Sequence, residues 1–372
     1  MNETEAIIEK LKKTAENPKA AVESIIADGK RVCGIMPAYV PEELAYAAGY
    51  IPVGIWGGNA NVKNAQSVLP PFACSIMLSV MESFLEGVYD VCDFIMVSSL
   101  CDTLKCMGQK MKKNANIIQI SHPHNKNAKG AKEFLVKEYI EVKNSLEKIS
   151  GAVITEESLK NAVDVYNKNF DALRKFAALS SLHTDVVTPS VRHFAFKAGF
   201  FMDRKEHTAL IEELCRLLEG RKIVKGSKRL MLTGIMADDM RVIKIMEKHG
   251  FSAAADELLN ESRFIAQNTP KDNSCVEALA EKWLRTKNCS LAYDMKKSRI
   301  ESIVKKAKEA ECDAVVICFM PFCDVEGFDE PLLTERLKKE HIPFIKLDFG
   351  GQDINLGRAD TKLGALAEML EF

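Results

Sequence analysis

Eight short apolar runs, alternating with stretches whose apolar residues recur at helical spacing, constrain this chain more than any other feature. The first four are 31–36 (RVCGIM), 51–56 (IPVGIW), 93–98 (DFIMVS) and 117–120 (IIQI), with helical patterns at 41–49, 74–88 and 102–113 between them. Runs of this length separated by helices read as strands of a parallel sheet, because parallel neighbours need a crossover between them. The alternation resumes at 229–235 (RLMLTGI), 251–255 (FSAAA), 314–320 (AVVICFM) and 343–348 (PFIKLD). From Asn125 to Ala178 the pattern is helical and rich in Lys and Glu, with further helical pieces at 189–200 and 203–219. The opening stretch to about Asp28 carries Ile7, Ile8 and Leu11 at helical spacing. At 372 residues the chain exceeds what one hydrophobic core usually supports. The expected fold class is therefore α/β, with two Rossmann-like or flavodoxin-like parallel-sheet domains. The expected division is a helical arm at 1–30, a first α/β domain at 31–124, a helical connector at 125–225 and a second α/β domain at 226–372. The halves share a plan without obvious sequence repetition.

Lys and Arg total 51 against 52 Asp and Glu, intermixed along the chain, so nothing recommends a nucleic-acid partner. The first residues, MNETEAIIEKLKK, lack the apolar core of a signal peptide, and no run approaches 18 apolar residues. The expectation is a soluble, cytoplasmic protein with no membrane partner. Neither G-x-x-x-x-G-K-[ST] nor G-x-G-x-x-G occurs, so ATP hydrolysis by this chain is not expected.

Eleven cysteines are many for a chain in a reducing compartment, where disulfides are rare. They include no C-x-x-C pair, so any metal site has to be assembled by the fold. Cys101 follows the run 93–98 and precedes a helix, and Cys323 does the same after 314–320. Both thus fall at the carboxyl edge of a parallel sheet, where α/β proteins bind ligands. Cys74, in PPFACSIML, sits where an extended Pro-Pro segment turns into a helix. Helix starts offer unpaired N–H groups and partial positive charge, which favour thiolates and anionic clusters. Buried free cysteine is also a common small hydrophobe. Cys33, Cys92, Cys215, Cys275, Cys289 and Cys312 are read as core packing, and so is Cys318, inside an apolar strand. Cys106 lies about 140° around a helix from Cys101. The equal spacings 101/106 and 318/323 leave a supporting role open for Cys106 and Cys318. From the residues alone, a zinc or nucleotide-binding α/β protein with buried cysteines competes with an iron–sulfur protein; zinc, with its filled d-shell, gives a colourless protein and iron–sulfur a brown one.

The sequence resembles the β subunits of 2-hydroxyacyl-CoA dehydratases and, more distantly, benzoyl-CoA reductase subunits. The segments that carry the likeness are PVGIWGGN (52–59), PPFACSIM (70–77), CDTLKCMGQ (101–109), KAGFFMDRKEHT (197–208), CSLAYDMKKSR (289–299) and MPFCDVEGFDEPLLTERLKKEHIPFIKLD (320–348). The resemblance implies a [4Fe–4S] cluster on Cys74, Cys101 and Cys323, in the cleft between the two domains, with the fourth iron bound to a non-protein ligand. It implies a heterodimer with a homologous α subunit, whose own cluster engages the 2-hydroxyacyl-CoA, and a separate ATP-dependent iron–sulfur activator as electron donor. The implied reaction is oxygen-sensitive, ketyl-radical elimination of water to a 2-enoyl-CoA in anaerobic fermentation, with this subunit's cluster relaying or tuning electrons. Two alternatives within the resemblance are a stand-alone double-cubane reductase, which uses additional cysteines, and a non-catalytic electron-relay subunit. Relatives often carry Arg-Thr-Arg near the carboxyl terminus where this chain has Asp360, Thr361 and Lys362.

No residue is assigned a catalytic role. His122 and His124 follow a strand and suit proton transfer by type, though a plain loop position explains them as well. Lys110, Lys112 and Lys113 read as a solvated helix end or an attraction for CoA phosphates. Ser75 is placed to donate to a cluster sulfur or to start a helix. Gly57 and Gly58 read as a tight turn or a close backbone approach to a ligand.

Overall fold

The computed structural model describes residues 2–36, 38–56, 60–226, 228–271, 274–292, 294–350 and 354–371; Gly57 and Gly58 lie outside them. The chain runs α1 (Glu3–Glu16), α2 (Pro18–Ala27), β1 (Arg31–Met36), α3 (Glu42–Ala47), β2 (Tyr50–Gly54), α4 (Ser75–Leu85), β3 (Ile95–Ser98), α5 (Asp102–Met111) and β4 (Ile117–Ile120). Four helices follow: α6 (Ala131–Ser150), α7 (Glu156–Ser180), α8 (Pro189–Ala198) and α9 (Arg204–Glu219). The second half is β5 (Lys228–Gly234), α10 (Met240–Lys248), β6 (Phe251–Leu258), α11 (Cys275–Leu284), α12 (Ser298–Glu309), β7 (Ala314–Phe319), α13 (Asp324–Lys339), β8 (Phe344–Asp348) and α14 (Leu356–Met369).

All eight apolar runs are strands. They form two four-stranded parallel sheets, ordered β2-β1-β3-β4 and β6-β5-β7-β8. Both repeat the flavodoxin-like order in which the chain moves outward from its first strand and then reverses, which puts the switch point at the carboxyl ends between β1 and β3 and between β5 and β7. β1, β2 and β3 are buried almost throughout because helices cover both faces, which is why they read as continuous apolar runs rather than alternating ones.

The helices between the sheets build a core of their own. Ile7, Leu11 and Ala15 of α1 pack with Phe170 and Phe176 of α7, Phe194 and Phe196 of α8, and Ile211 and Leu214 of α9. The first sheet's core reaches across to Ile235, Met236 and Met320 of the second half. Trp56, just past β2, donates its indole N–H to Asp238 at 3.1 Å, and its ring meets Phe200 edge-on at 4.5 Å. Gly54 has to be glycine here, since a Cβ would lie 2.5 Å from the Trp56 ring.

Asp238 also contacts Lys197 at 2.8 Å and His193 at 3.0 Å. Burial alone would raise its pKa, but Lys197 and the hydrogen bond from His193 outweigh it and hold the carboxyl well below its ordinary value. A depressed carboxylate stabilises the fold fully above its unfolded pKa of about 4, and that contribution is lost as pH falls below it. Urea midpoints measured from pH 7 to pH 3 should therefore drop more steeply in the wild type than in Asp238→Asn. Parallel profiles would show that Asp238 does not couple folding to pH.

Candidate metal centre

Cys74, Cys101 and Cys323 occupy the same local position on three different helices. Each is the residue at which extended backbone becomes helix: Cys74 caps α4, Cys101 caps α5 three residues past β3, and Cys323 caps α13 four residues past β7. The amide three residues on from each cap faces the sulfur. Leu104 N–H donates to Cys101 Sγ at 3.5 Å, while the Met77 and Glu326 amides lower the Cys74 and Cys323 pKa values without forming a capping hydrogen bond. β3 and β7 stand in equivalent places of their sheets, each beside the first strand. The topology thus sets Cys101 and Cys323 at matching carboxyl edges.

The three half-buried thiols are close enough for their charges to act on one another: Cys101 raises Cys74, and both raise Cys323. The larger effect on all three is burial, which pushes Cys74 up to about 11 and Cys323 up to about 12, and raises Cys101 too. Left alone, the groups stay protonated. A bound cation reverses that balance, because coordination deprotonates a thiol outright. Among the described residues no three His, Cys, Asp or Glu side chains converge as ligands of a single metal ion. That does not weigh against a cubane, in which each thiolate binds a different iron. The Ser75 hydroxyl, next to Cys74, is buried without a hydrogen-bond partner. Against it lies Gly350, just past β8, at a φ of +89° and so close that a Cβ would stand 2.5 Å from Ser75 Oγ. A donor without a partner beside three thiols fits a sulfur-bearing group with acceptors to offer.

Cys323 is delivered by a strained turn. Its N–H closes onto the Met320 carbonyl at 3.0 Å over Pro321 and Phe322, and Phe322 has a φ of +62°. Proline followed by a positive φ is the signature of a type II turn, whose third position favours glycine. Phenylalanine there costs of order 1 kcal/mol or more, the kind of strain that gathers at functional sites. The helix beyond is clamped by buried charge. Glu326, in the first turn of α13, accepts from Ser290 Oγ at 2.6 Å and Arg299 at 2.9 Å, with Arg263 at 3.6 Å. Arg299 also meets Glu257 at 3.1 Å and Asp329 at 3.4 Å, so it ties β6 to the first two turns of α13.

The other candidate residues fall away from the thiols. Cys106 is exposed, and Cys318 is buried in β7 facing the Val316 carbonyl. Lys110, Lys112 and Lys113 are exposed at the far end of α5 from Cys101, about 15 Å along the helix. His122 packs on Trp283 at 4.8 Å with one ring nitrogen 3.1 Å from the Tyr39 carbonyl, and burial lowers its pKa to about 4, so the ring is neutral at physiological pH. His124 is exposed. Asp360, Thr361 and Lys362 serve the fold: Asp360 meets Lys248 at 2.9 Å and His249 at 2.7 Å, Thr361 bonds the Gly357 carbonyl, and Lys362 donates to the Lys346 carbonyl, docking α14 onto α10 and β8.

With this geometry in place, a family model described as 2-hydroxyglutaryl-CoA dehydratase, D-component, matches residues 37–370. The chain belongs to that family. Relatives include the (R)-phenyllactyl-CoA dehydratase beta subunit of Clostridium sporogenes, 34% identical over all of both chains, and the lactoyl-CoA dehydratase subunit beta of Anaerotignum propionicum, 35% identical over all of both. A benzoyl-CoA reductase subunit of Thauera aromatica is 22% identical over 92% of each chain. No described helix is long and apolar enough to cross a membrane.

Removing one partner from a buried ion network leaves the others uncompensated. Arg299→Met should cost about 3 kcal/mol in urea unfolding, while the exposed control Lys305→Met should cost under about 0.5 kcal/mol. Equal midpoints for the two variants would show that the clamp on α13 contributes nothing.

Proposed function

We propose that this chain is the β subunit of an oxygen-sensitive (R)-2-hydroxyacyl-CoA dehydratase, a lyase, and that it holds a [4Fe–4S] cluster on Cys74, Cys101 and Cys323 in the cleft between the two sheets. The observation that carries the proposal is the set of three electrostatically coupled thiols at three helix starts, in a chain whose relatives are named as dehydratase beta subunits. When bound, such a cluster supplies low-potential one-electron transfer, the chemistry that lets water leave a 2-hydroxyacyl thioester whose β-proton is too weakly acidic for an ordinary base.

The chain's own residues set the conditions for it. Three thiolates leave one position to a non-protein ligand. The starts of α4, α5 and α13 direct amide N–H groups and dipole charge at the sulfurs, which favours the anionic form. The unpartnered Ser75 hydroxyl is in place to donate to a sulfur. Phe72, Phe322 and Phe328, near Cys74 and Cys323 in the sequence, are 68%, 61% and 77% exposed, and in this reading a homologous α subunit covers them. The electron comes from a separate ATP-dependent activator.

Iron and acid-labile sulfide should be measured on the anaerobically purified chain. The expected outcome is about four of each per chain, falling by more than half in Cys74→Ala, Cys101→Ala and Cys323→Ala and unchanged in Cys106→Ala. ATP-dependent dehydration should then require the α subunit and activator together with this chain. About eight irons per chain, with dependence on Cys106 or Cys318, would establish the double-cubane reductase instead, and no iron under strict anaerobiosis would overturn the proposal.

A further inference from the structure

Protein interiors rarely leave room for more than a water molecule, yet a cavity of about 270 Å³ opens between the segment that follows β1 and the segment that follows β6. Tyr39, Val40 and Pro41 form one wall, and Arg263, Phe264 and Gln267 the other. Residues of α11 and the stretch after it, with Glu43 of α3 and Tyr139 of α6, complete the lining. The volume is close to the lower end of ligand pockets, about 300 Å³, and the position at strand carboxyl ends is where α/β folds bind small molecules.

The lining has two chemically distinct parts. The inner part is aromatic, with Trp283 and Tyr139 both buried and Phe264 partly so. The outer part is cationic. Of the four lining cations, Lys282 is taken by Glu43 at 2.9 Å, and Arg263 by Glu257 at 3.4 Å and Glu326 at 3.6 Å. Arg285 is exposed and pairs with Glu281 on its own helical turn. Lys287 is exposed, and among the described residues it has no ion-pair partner. Glu43, the single carboxylate in the lining, is held by Lys282 and by Thr269 Oγ1 at 3.2 Å. At the mouth, Arg285 shares its charge with Glu281, and Lys287 is the lining cation with no ion-pair partner among the described residues. Tyr39, in the lining, has a φ of +69°, strain of the kind that persists where a site is held in shape.

We infer that this cavity binds a small organic acid, its carboxylate at Lys287 and Arg285 and its apolar body against Trp283 and Tyr139. The site uses none of the three cluster thiols, so it stands or falls apart from the cluster.

The chain has two tryptophans, and Trp56 is enclosed by Phe200, Phe201 and Asp238, so a change of fluorescence on titration reports mainly on Trp283. The probes are 3-phenylpropionate and its charge-altered analogues 3-phenylpropylamine and 3-phenyl-1-propanol, added to the full chain, with ligand-observed NMR as the second readout. The acid should bind saturably and the amine should not. Ala266 and Lys287 are exposed, so substitutions there leave the core intact. Ala266→Phe, which fills the mouth, should abolish binding, and Lys287→Glu should weaken it about tenfold. Failure of the acid by both readouts, equal binding of amine and acid, or full binding by Ala266→Phe would each overturn the inference.

Discussion

In both sheets every strand runs parallel to its neighbours, and the rest of the molecule depends on this. A parallel strand has to be followed by a crossover helix, and the helix has to start at the strand's carboxyl end. The crossovers therefore gather helix N-termini, with their unpaired amides and partial positive charge, on one edge of each sheet. A cysteine that caps such a helix has its sulfur turned toward those amides. The chain repeats the arrangement on equivalent strands, β3 and β7, and adds the start of α4, which Gly350 of the second half touches through Ser75. The candidate centre is thus a consequence of strand direction before it is a consequence of particular side chains.

That level of organisation is legible in the amino-acid sequence because burial on both faces makes parallel strands continuous apolar runs. β1 and β4 begin and end where the periodicity places them, and the remaining six strands differ only at their ends. The helix starts at Cys74, Cys101 and Cys323 are legible for the same reason. What stays hidden depends on partners distant in the chain. Nothing near Arg299 shows that it is buried against Glu257, Glu326 and Asp329. The turn at Phe322 is hidden because its positive φ falls on a bulky aromatic instead of the glycine that marks such a turn. By sequence Asp360 offers no sign of a role, but its partners, Lys248 and His249, lie more than a hundred residues earlier and make it a fastening for α14.

Two kinds of electrostatics coexist around α13. At its start, burial works against charge on Cys323, and the thiol stays protonated unless a cation binds it. One turn further on, burial has already been answered inside the protein, with Arg263 and Arg299 holding Glu326 ionised below its ordinary pKa. The first arrangement leaves a neutral thiol at the helix start, while the second fixes the helix that presents it. The cavity beside Lys287 joins both cases: Lys287 has no ion-pair partner among the described residues, while Arg263 in its wall belongs to the second.

Cys74 and Cys101 lie close in the sequence, but Cys323 follows Cys74 by roughly 250 residues, which at about 5–20 residues per second takes on the order of 10–50 s to synthesise. On the proposed reading the third thiol is missing throughout that interval, so the three-thiol centre closes only once the second sheet has been made, and its assembly is a late step in the life of the chain.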